Sequence, residues 1–186
     1  RYANRSPYFM QIERALAKGC RIDSIGMQFH MFLLRNEIEQ ILKRLKYFDA
    51  GLLNETMDVY AALNIPQQIT EVTIPAFSNN VEDEELQAEI IRRLYHIWFA
   101  HPAMEAIIYW NLVDGFAHAA PQGDMTSGEN IYYGGFVRYD FTPKPAYYVV
   151  KKLLNETWRT NMQAETDADG KASFRGFYGD YEAIVT

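Results

Sequence analysis

The chain has 186 residues but only one cysteine, Cys20. A single thiol excludes an internal disulfide and any metal site built from several cysteines. The four histidines are scattered, without the helical i, i+4 pairing to a carboxylate that would indicate a zinc site. A glycine-rich phosphate-binding loop is missing as well. We therefore predict that the chain uses neither a metal ion nor a cofactor.

Long apolar runs and an excess of positive charge are also missing. No stretch approaches the length of about 18 consecutive apolar residues that a membrane-spanning helix needs. The net charge is −6, whereas a nucleic-acid partner requires a basic face that neutralises phosphates. These features argue against membrane and nucleic-acid partners and leave a neutral polysaccharide open. Aromatic residues make up 15% of the chain and either fill a core or stack on sugar rings.

Apolar residues alternate between helical and strand spacing along most of the chain. Helices are predicted over 6–18, 37–47, 54–63, 82–99 and 146–158, and strands over 22–29, 69–74 and 106–113. This alternation predicts an α/β fold with parallel strands and right-handed helical crossovers. Three strands are too few to close a barrel, so the sheet is either open or part of a larger barrel.

The last segment of the chain has a different pattern. Turn residues at 167–171 and 179–180 separate short strand-like runs. We predict a small antiparallel β appendage over 160–186, joined to an α/β unit over 1–159.

One acidic residue, Glu71, stands inside an apolar, β-branched run that spans 68–74 and ends before Pro75. A carboxylate in a buried strand is costly to desolvate unless another group pairs with it or uses it. Glu71 is therefore either a catalytic carboxylate or the partner of a basic group in a neighbouring loop. The strand alone leaves both interpretations open.

Other polar and aromatic residues fall where the predicted strands end. Gln28 and His30 close the first strand, Glu71 lies on the second, and Trp110 and Asp114 close the third. The carboxyl ends of parallel strands meet at one edge, where α/β enzymes carry their chemistry. Each residue alone has a structural alternative, such as a core tryptophan or an aspartate that begins a loop. Their common position on three successive strands favours a site.

Four ordered motifs then resemble glycoside hydrolase family 10, the xylanase family. The motifs are 22–30, similar to the sixth barrel strand; 69–74, similar to the seventh; 101–106 with Trp110 and Asp114, similar to the eighth; and 139–147, similar to the segment before the last helix. The similarity covers about 6–158. It implies a partial TIM (β/α)8 barrel made of strands six to eight with their helices.

The resemblance also implies a reaction, the retaining hydrolysis of β-1,4-xylan, by a parent enzyme that is secreted or periplasmic. Glu71 would be the nucleophile, and His30 would hold it ionised. Gln28 would position the site and the sugar. Trp110 would stack on a sugar near the cleavage point, and Asp114 would have a supporting role.

Two departures from the family pattern affect the expected substrate. Asn111 follows Trp110 where the family commonly has glycine, and Phe116 stands near the place of a second tryptophan. Phe116 is accordingly placed among the substrate-binding residues. A barrel glycosidase for another β-glycan therefore stays open. So does a non-catalytic carbohydrate-binding module that uses Trp110, Phe116, Tyr132 and Tyr133.

The acid/base residue is the main element that the chain does not show. A retaining glycosidase needs two carboxyl groups about 5 Å apart. The family's acid/base is a glutamate after an asparagine on the fourth strand, and no Asn-Glu-Pro occurs in this chain. We expect a fragment that carries the nucleophile, hydrolyses glycosides poorly by itself, and associates with another copy or with the missing half of the barrel, because its sheet edges are uncovered.

Overall fold

The computed structural model describes residues 6–37 and 49–185, in which helices and strands alternate. The elements are α1 Pro7–Ala17, β1 Ile25–His30, α2 Ala50–Ala61, β2 Gln67–Thr73, α3 Val81–Ala100, β3 Met104–Tyr109 and α4 Pro145–Lys152. A 3-10 helix, Gly128–Tyr132, lies between β3 and α4, and a π-helical turn, Leu153–Thr157, continues α4. The helix predicted over 37–47 lies outside the described residues, except for its first residue.

The three strands form one parallel sheet in the order β1-β2-β3. The predicted α/β fold with parallel strands is therefore confirmed. None of the helices in the two described ranges is both long and apolar enough to cross a membrane.

The register between β1 and β2 contains one irregularity, and it controls the position of Glu71. Met27 pairs with Ile69, but the next residue, Gln28, pairs with Glu71, so Thr70 is the extra residue of a β-bulge. Side chains two apart on a regular strand share a face. Without the bulge, Glu71 would share the core-facing side of Ile69, which is only 3% exposed. The bulge turns Glu71 to the opposite face.

The hydrophobic core lies between the sheet and the helices. Apolar side chains of β2 pack against the buried stripe of α3, and the central members of this cluster are Ile69, Val72, Ile74, Ile91, Leu94 and Trp98. A second cluster joins α1 and α2 to the start of β1 and consists of Phe9, Ile12, Ile25, Tyr60 and Ile65. Packing on one face of the sheet leaves the other face for polar side chains.

Helix α1 begins as its sequence predicts. The Ser6 side chain accepts a hydrogen bond from the backbone N–H of Phe9 at 3.1 Å, and Pro7 occupies the first turn. Helix α2 begins earlier than the predicted residue 54. Asp49 is its N-cap and accepts from the backbone N–H of Leu52 at 3.0 Å.

Strand β3 ends earlier than predicted, at Tyr109 rather than at residue 113. Asn111 has φ +66°, a left-handed conformation that cannot continue a strand. Trp110 and Asp114 therefore belong to the loop that follows β3, not to the strand itself.

The tail differs from its prediction as well, because residues 160–185 contain no strand. The predicted turn is present, with Asp167 N–H donating to the Lys171 carbonyl at 2.9 Å. Nearly all side chains around it are exposed, and an isolated hairpin without a covering layer is marginally stable at best. The tail instead returns toward Thr160, whose hydroxyl accepts from Phe177 N–H at 2.9 Å. The antiparallel β appendage is not formed in this segment.

A buried ion pair holds the loop after β3 against the start of α4. Lys144 Nζ lies 2.5 Å from Asp114 Oδ2 and donates to the Tyr133 carbonyl at 2.8 Å, while Asp114 Oδ1 accepts from Gly135 N–H at 2.8 Å. Burial raises the pKa of Asp114 and lowers the pKa of Lys144. Each charge is therefore tolerated in this interior because the other is present.

We expect Lys144→Met to lower the free energy of unfolding by about 3–5 kcal/mol, because it leaves the Asp114 carboxyl group buried without its cation. Urea denaturation followed by circular dichroism measures this change. Lys152→Met, at an exposed position of α4, is the matched control and should be nearly neutral. Adding Asp114→Asn to Lys144→Met should recover part of the loss. Equal stability of the two single lysine variants would contradict the assigned role of the pair.

Candidate active site

Glu71 is held by two side chains of the neighbouring strand. Gln28 Nε2 donates to Glu71 Oε1 at 2.9 Å, and His30 Nε2 lies 3.1 Å from Glu71 Oε2. A carboxylate that is ionised only accepts hydrogen bonds, and His30 Nε2 is then the donor of this contact. The Glu71 side chain is 32% exposed, and the carboxylate is therefore both oriented and accessible.

The second ring nitrogen of His30 is also occupied. His30 Nδ1 lies 3.0 Å from Thr73 Oγ1, and Thr73 is buried directly opposite His30 in the strand register. A hydroxyl both donates and accepts hydrogen bonds, so Thr73 satisfies Nδ1 while Nε2 faces Glu71. This contact holds the imidazole ring in the orientation that serves Glu71. Sequence reasoning missed Thr73, although its spacing two residues after Glu71 was the signal that could have found it.

Aromatic rings enclose His30 on two sides. Phe32 stacks on the imidazole with ring centroids 4.5 Å apart, and Tyr132 stacks on Phe32 at 5.0 Å. Trp110 meets the imidazole edge-on at 6.1 Å. These contacts restrict the rotation of His30 and so preserve its hydrogen bond to Glu71. Phe32 follows β1 and lacked a distinguishing sequence pattern.

Trp110 presents a partly exposed ring beside this cluster. The residue is 37% exposed, and its Nε1–H donates to Glu129 Oε2 at 2.8 Å. A partly exposed indole held at its polar edge suits stacking on the apolar face of a sugar.

The structure brings together Gln28, His30, Glu71 and Trp110 but leaves two predicted site residues outside this cluster. The Asp114 carboxylate is buried and taken up by Lys144, so it is not available to a substrate. Phe116 is 46% exposed, and its ring neighbours are Tyr139 and Phe141, at 5.5 and 6.0 Å. The sequence could not show these differences, because both depend on partners distant along the chain.

Across residues 6–37 and 49–185, no group of three or more histidine, cysteine, aspartate or glutamate side chains is arranged to hold a metal ion. The side chains that meet at the site are a carboxylate, its hydrogen-bonding partners and aromatic rings. A carboxylate of this kind is able to attack an electrophilic carbon.

We expect Thr73→Val to disturb His30 without changing the volume of the side chain at position 73. Loss of the hydroxyl leaves Nδ1 without its hydrogen-bond partner, which should lower the free energy of unfolding by about 1–3 kcal/mol. It should also shift the Nδ1 resonance in 15N NMR spectra of the imidazole. Thr166→Val, in the exposed tail, is the control. An unchanged imidazole spectrum would contradict the hydrogen bond between Thr73 and His30.

Comparison with known proteins identifies the family of the chain. A model of glycosyl hydrolase family 10 matches residues 1–153. The anti-sigma-I factor RsgI6 of Acetivibrio thermocellus is 29% identical over 174 residues, which are 91% of this chain and 18% of that protein. Endo-1,4-beta-xylanase B of Thermotoga neapolitana is 27% identical over 152 residues, 80% of this chain and 38% of that protein. The chain thus spans less than half the length of these relatives.

Solved structures show the same fold. Xylanase 10B of Thermotoga petrophila, in complex with xylobiose, superimposes with a TM-score of 0.55 at 23% identity, covering 80% of this chain and 41% of that chain. Native xylanase10C of Cellvibrio japonicus gives a TM-score of 0.57 at 12% identity, covering 78% of this chain and 31% of that chain. With the family match over most of its length, the chain belongs to glycosyl hydrolase family 10.

Proposed function

We propose that the chain supplies the nucleophile side of a retaining glycoside hydrolase site for a β-1,4-linked xylan. The observation that carries this proposal is the Glu71 carboxylate, accessible and held by Gln28 at 2.9 Å and His30 at 3.1 Å. Family membership and relatives named as xylanases support the substrate class. Residues 1–159 would be the barrel portion, with β1 to β3 as barrel strands six to eight.

The chemistry follows from the arrangement of these groups. A Glu71 oxygen attacks the anomeric carbon and forms a glycosyl ester, while the glycosidic C–O bond breaks and its electron pair leaves with the departing oxygen. Water later cleaves the ester and releases the sugar. Hydrogen bonds from Gln28 and His30 hold the carboxyl group in one orientation. Trp110 would stack on a sugar ring next to the cleavage point.

The acid/base partner of Glu71 is proposed to come from another part of the barrel. The hydrogen-bonded group of Gln28, His30, Glu71 and Thr73 contains no second carboxyl group from the described ranges. General acid catalysis is needed most when the leaving group is a poor one, as in natural xylan. The chain by itself would therefore hydrolyse xylan slowly or not at all.

The two edges of the sheet support the proposal that further barrel strands pair with this chain. β1 and β3 are the two outer strands of the described sheet, and a TIM barrel has eight strands. Beside β1 lies a depression of about 360 Å³, lined by residues that include Tyr8, Gly26 and Leu53. A strand edge next to an apolar depression favours addition of another strand. We propose that the missing half of the barrel, or a second copy of the chain, covers this edge.

A second candidate function is a non-catalytic carbohydrate-binding domain. The exposed rings of Trp110 and Phe116, at 37% and 46%, suit sugar stacking without hydrolysis. The relative that matches 91% of this chain is named as an anti-sigma factor and not as a glycosidase. A glycosidase for another β-glycan also stays open, because Asn111 and Phe116 depart from the family pattern.

A substrate with a very good leaving group distinguishes a glycosidase from a non-catalytic binding domain, because its cleavage needs no general acid. We expect 2,4-dinitrophenyl β-xylobioside to give a burst of about one equivalent of dinitrophenolate per chain. Mass spectrometry of the digested protein should find the sugar on the peptide that contains Glu71. The 2-deoxy-2-fluoro analogue should extend the lifetime of this adduct.

Glu71→Gln should slow the burst on the order of 10³-fold or more, since it removes the nucleophile. Glu85→Gln, at an exposed position of α3, is the matched control and should behave as the unmodified chain. Equal quenching of tryptophan fluorescence by xylotetraose in both forms, with no adduct, would favour the binding domain. An adduct on another residue would overturn the assignment of Glu71.

A further inference from the structure

We infer that Glu129 is a positioning residue that sets the orientation of Trp110. The geometry alone supports this inference, and its consequence for sugar binding rests on the proposed function. Neither the sequence pattern nor the family resemblance assigned a role to Glu129, which lies 19 residues after Trp110.

One oxygen of Glu129 receives two side-chain donors from the loop after β3. Trp110 Nε1 and Asn111 Nδ2 each donate to Glu129 Oε2 at 2.8 Å. Hydrogen bonds to an ionised acceptor are shorter and stronger than neutral ones. The carboxylate therefore fixes the indole at its polar edge and, through Asn111, the left-handed backbone that follows it.

Hydrogen bonds and close packing hold the part of the 3-10 helix that carries Glu129. Its backbone N–H donates to the His118 carbonyl at 3.0 Å. Gly128, at φ +52°, packs so closely that an added Cβ would lie 2.4 Å from the Ala119 carbonyl oxygen. The buried side chain of Asn130 accepts from Ala117 N–H at 2.9 Å. Residues on both sides of Glu129 thus anchor it to the preceding loop.

The same 3-10 helix also supports His30 through a chain of stacked aromatic rings. Residues three apart on a 3-10 helix lie on the same side, so Tyr132 projects beside Glu129. Tyr132 stacks on Phe32, which stacks on His30. One short helix therefore positions the two aromatic neighbours of His30, Trp110 through Glu129 and Phe32 through Tyr132.

This support matters because Trp110 lies beyond the end of β3 and is 37% exposed. An exposed side chain without a fixed partner populates several rotamers, and binding a ligand must then restrict it. An indole that is already held in one rotamer loses less conformational entropy when a ligand binds. Removing the acceptor should therefore weaken sugar binding even though Glu129 itself need not contact the sugar.

NMR of the Trp110 indole tests the inference directly. The indole N–H resonance is assigned by its loss in Trp110→Phe, among the three tryptophans of the chain. In Glu129→Ala it should move toward the position of a water-exposed indole and exchange faster with solvent. In Glu129→Gln it should stay protected, because an amide oxygen still accepts both donors. Glu85→Ala, on the exposed side of α3, is the control.

The affinity for xylotetraose tests whether the orientation of Trp110 affects sugar binding. We expect about a tenfold loss in Glu129→Ala, equivalent to about 1.4 kcal/mol, and a change below about threefold in Glu129→Gln. This rescue distinguishes positioning from a requirement for the negative charge.

The outcomes separate the inference from the proposed function. An unchanged indole resonance in Glu129→Ala overturns the inference. An altered resonance supports it, and absence of xylotetraose binding by the unmodified chain then counts only against the proposed function. If Glu129→Ala does not fold, Glu129→Leu decides, because it keeps the bulk of the side chain but removes the acceptor. An unchanged indole resonance in Glu129→Leu would overturn the inference.

Discussion

The site depends on one irregularity, the bulge at Thr70 in the middle strand. In a regular strand Glu71 would point to the same side as Ile69, into the packed core. The bulge moves Glu71 to the face occupied by Gln28 and His30, while Val72 returns to the core with no exposed surface. A carboxylate within an apolar strand is thereby accommodated without burying its charge, and each oxygen obtains a donor from β1.

The loop after β3 provides the remaining side of the site, and buried polar contacts hold it in place. The Asp114–Lys144 pair joins the loop to the start of α4. Gln87 Nε2 of α3 donates to the Ile74 carbonyl just beyond β2 at 2.8 Å, and it also reaches the Tyr133 and Gly135 carbonyls of the loop at 3.3 and 3.4 Å. Trp110 is thus carried by a loop that is fixed at several points, which gives an exposed aromatic side chain a defined position.

The sequence predicted part of this arrangement and missed part for identifiable reasons. The spacing of apolar residues predicted the strands that carry Glu71 and His30. Gln28 and Trp110 were assigned to the same site because they also fall near the ends of predicted strands. Asp114 was given a supporting role at the site, but its carboxylate is buried against Lys144, which lies 30 residues away in the sequence. The β appendage over 160–186 was predicted from turn residues, but 160–185 contain no strand and nearly all of their side chains are exposed.

The sequence by itself determined the alternation of helices and parallel strands, because apolar spacing and capping residues are local properties. It also carried the motifs that place the chain in glycosyl hydrolase family 10. The tertiary structure alone decided which way Glu71 faces, which nitrogen of His30 serves it, and how Trp110 is held. Those features depend on strand register and on contacts such as Thr73 with His30 and Glu129 with Trp110, which form only when distant segments meet.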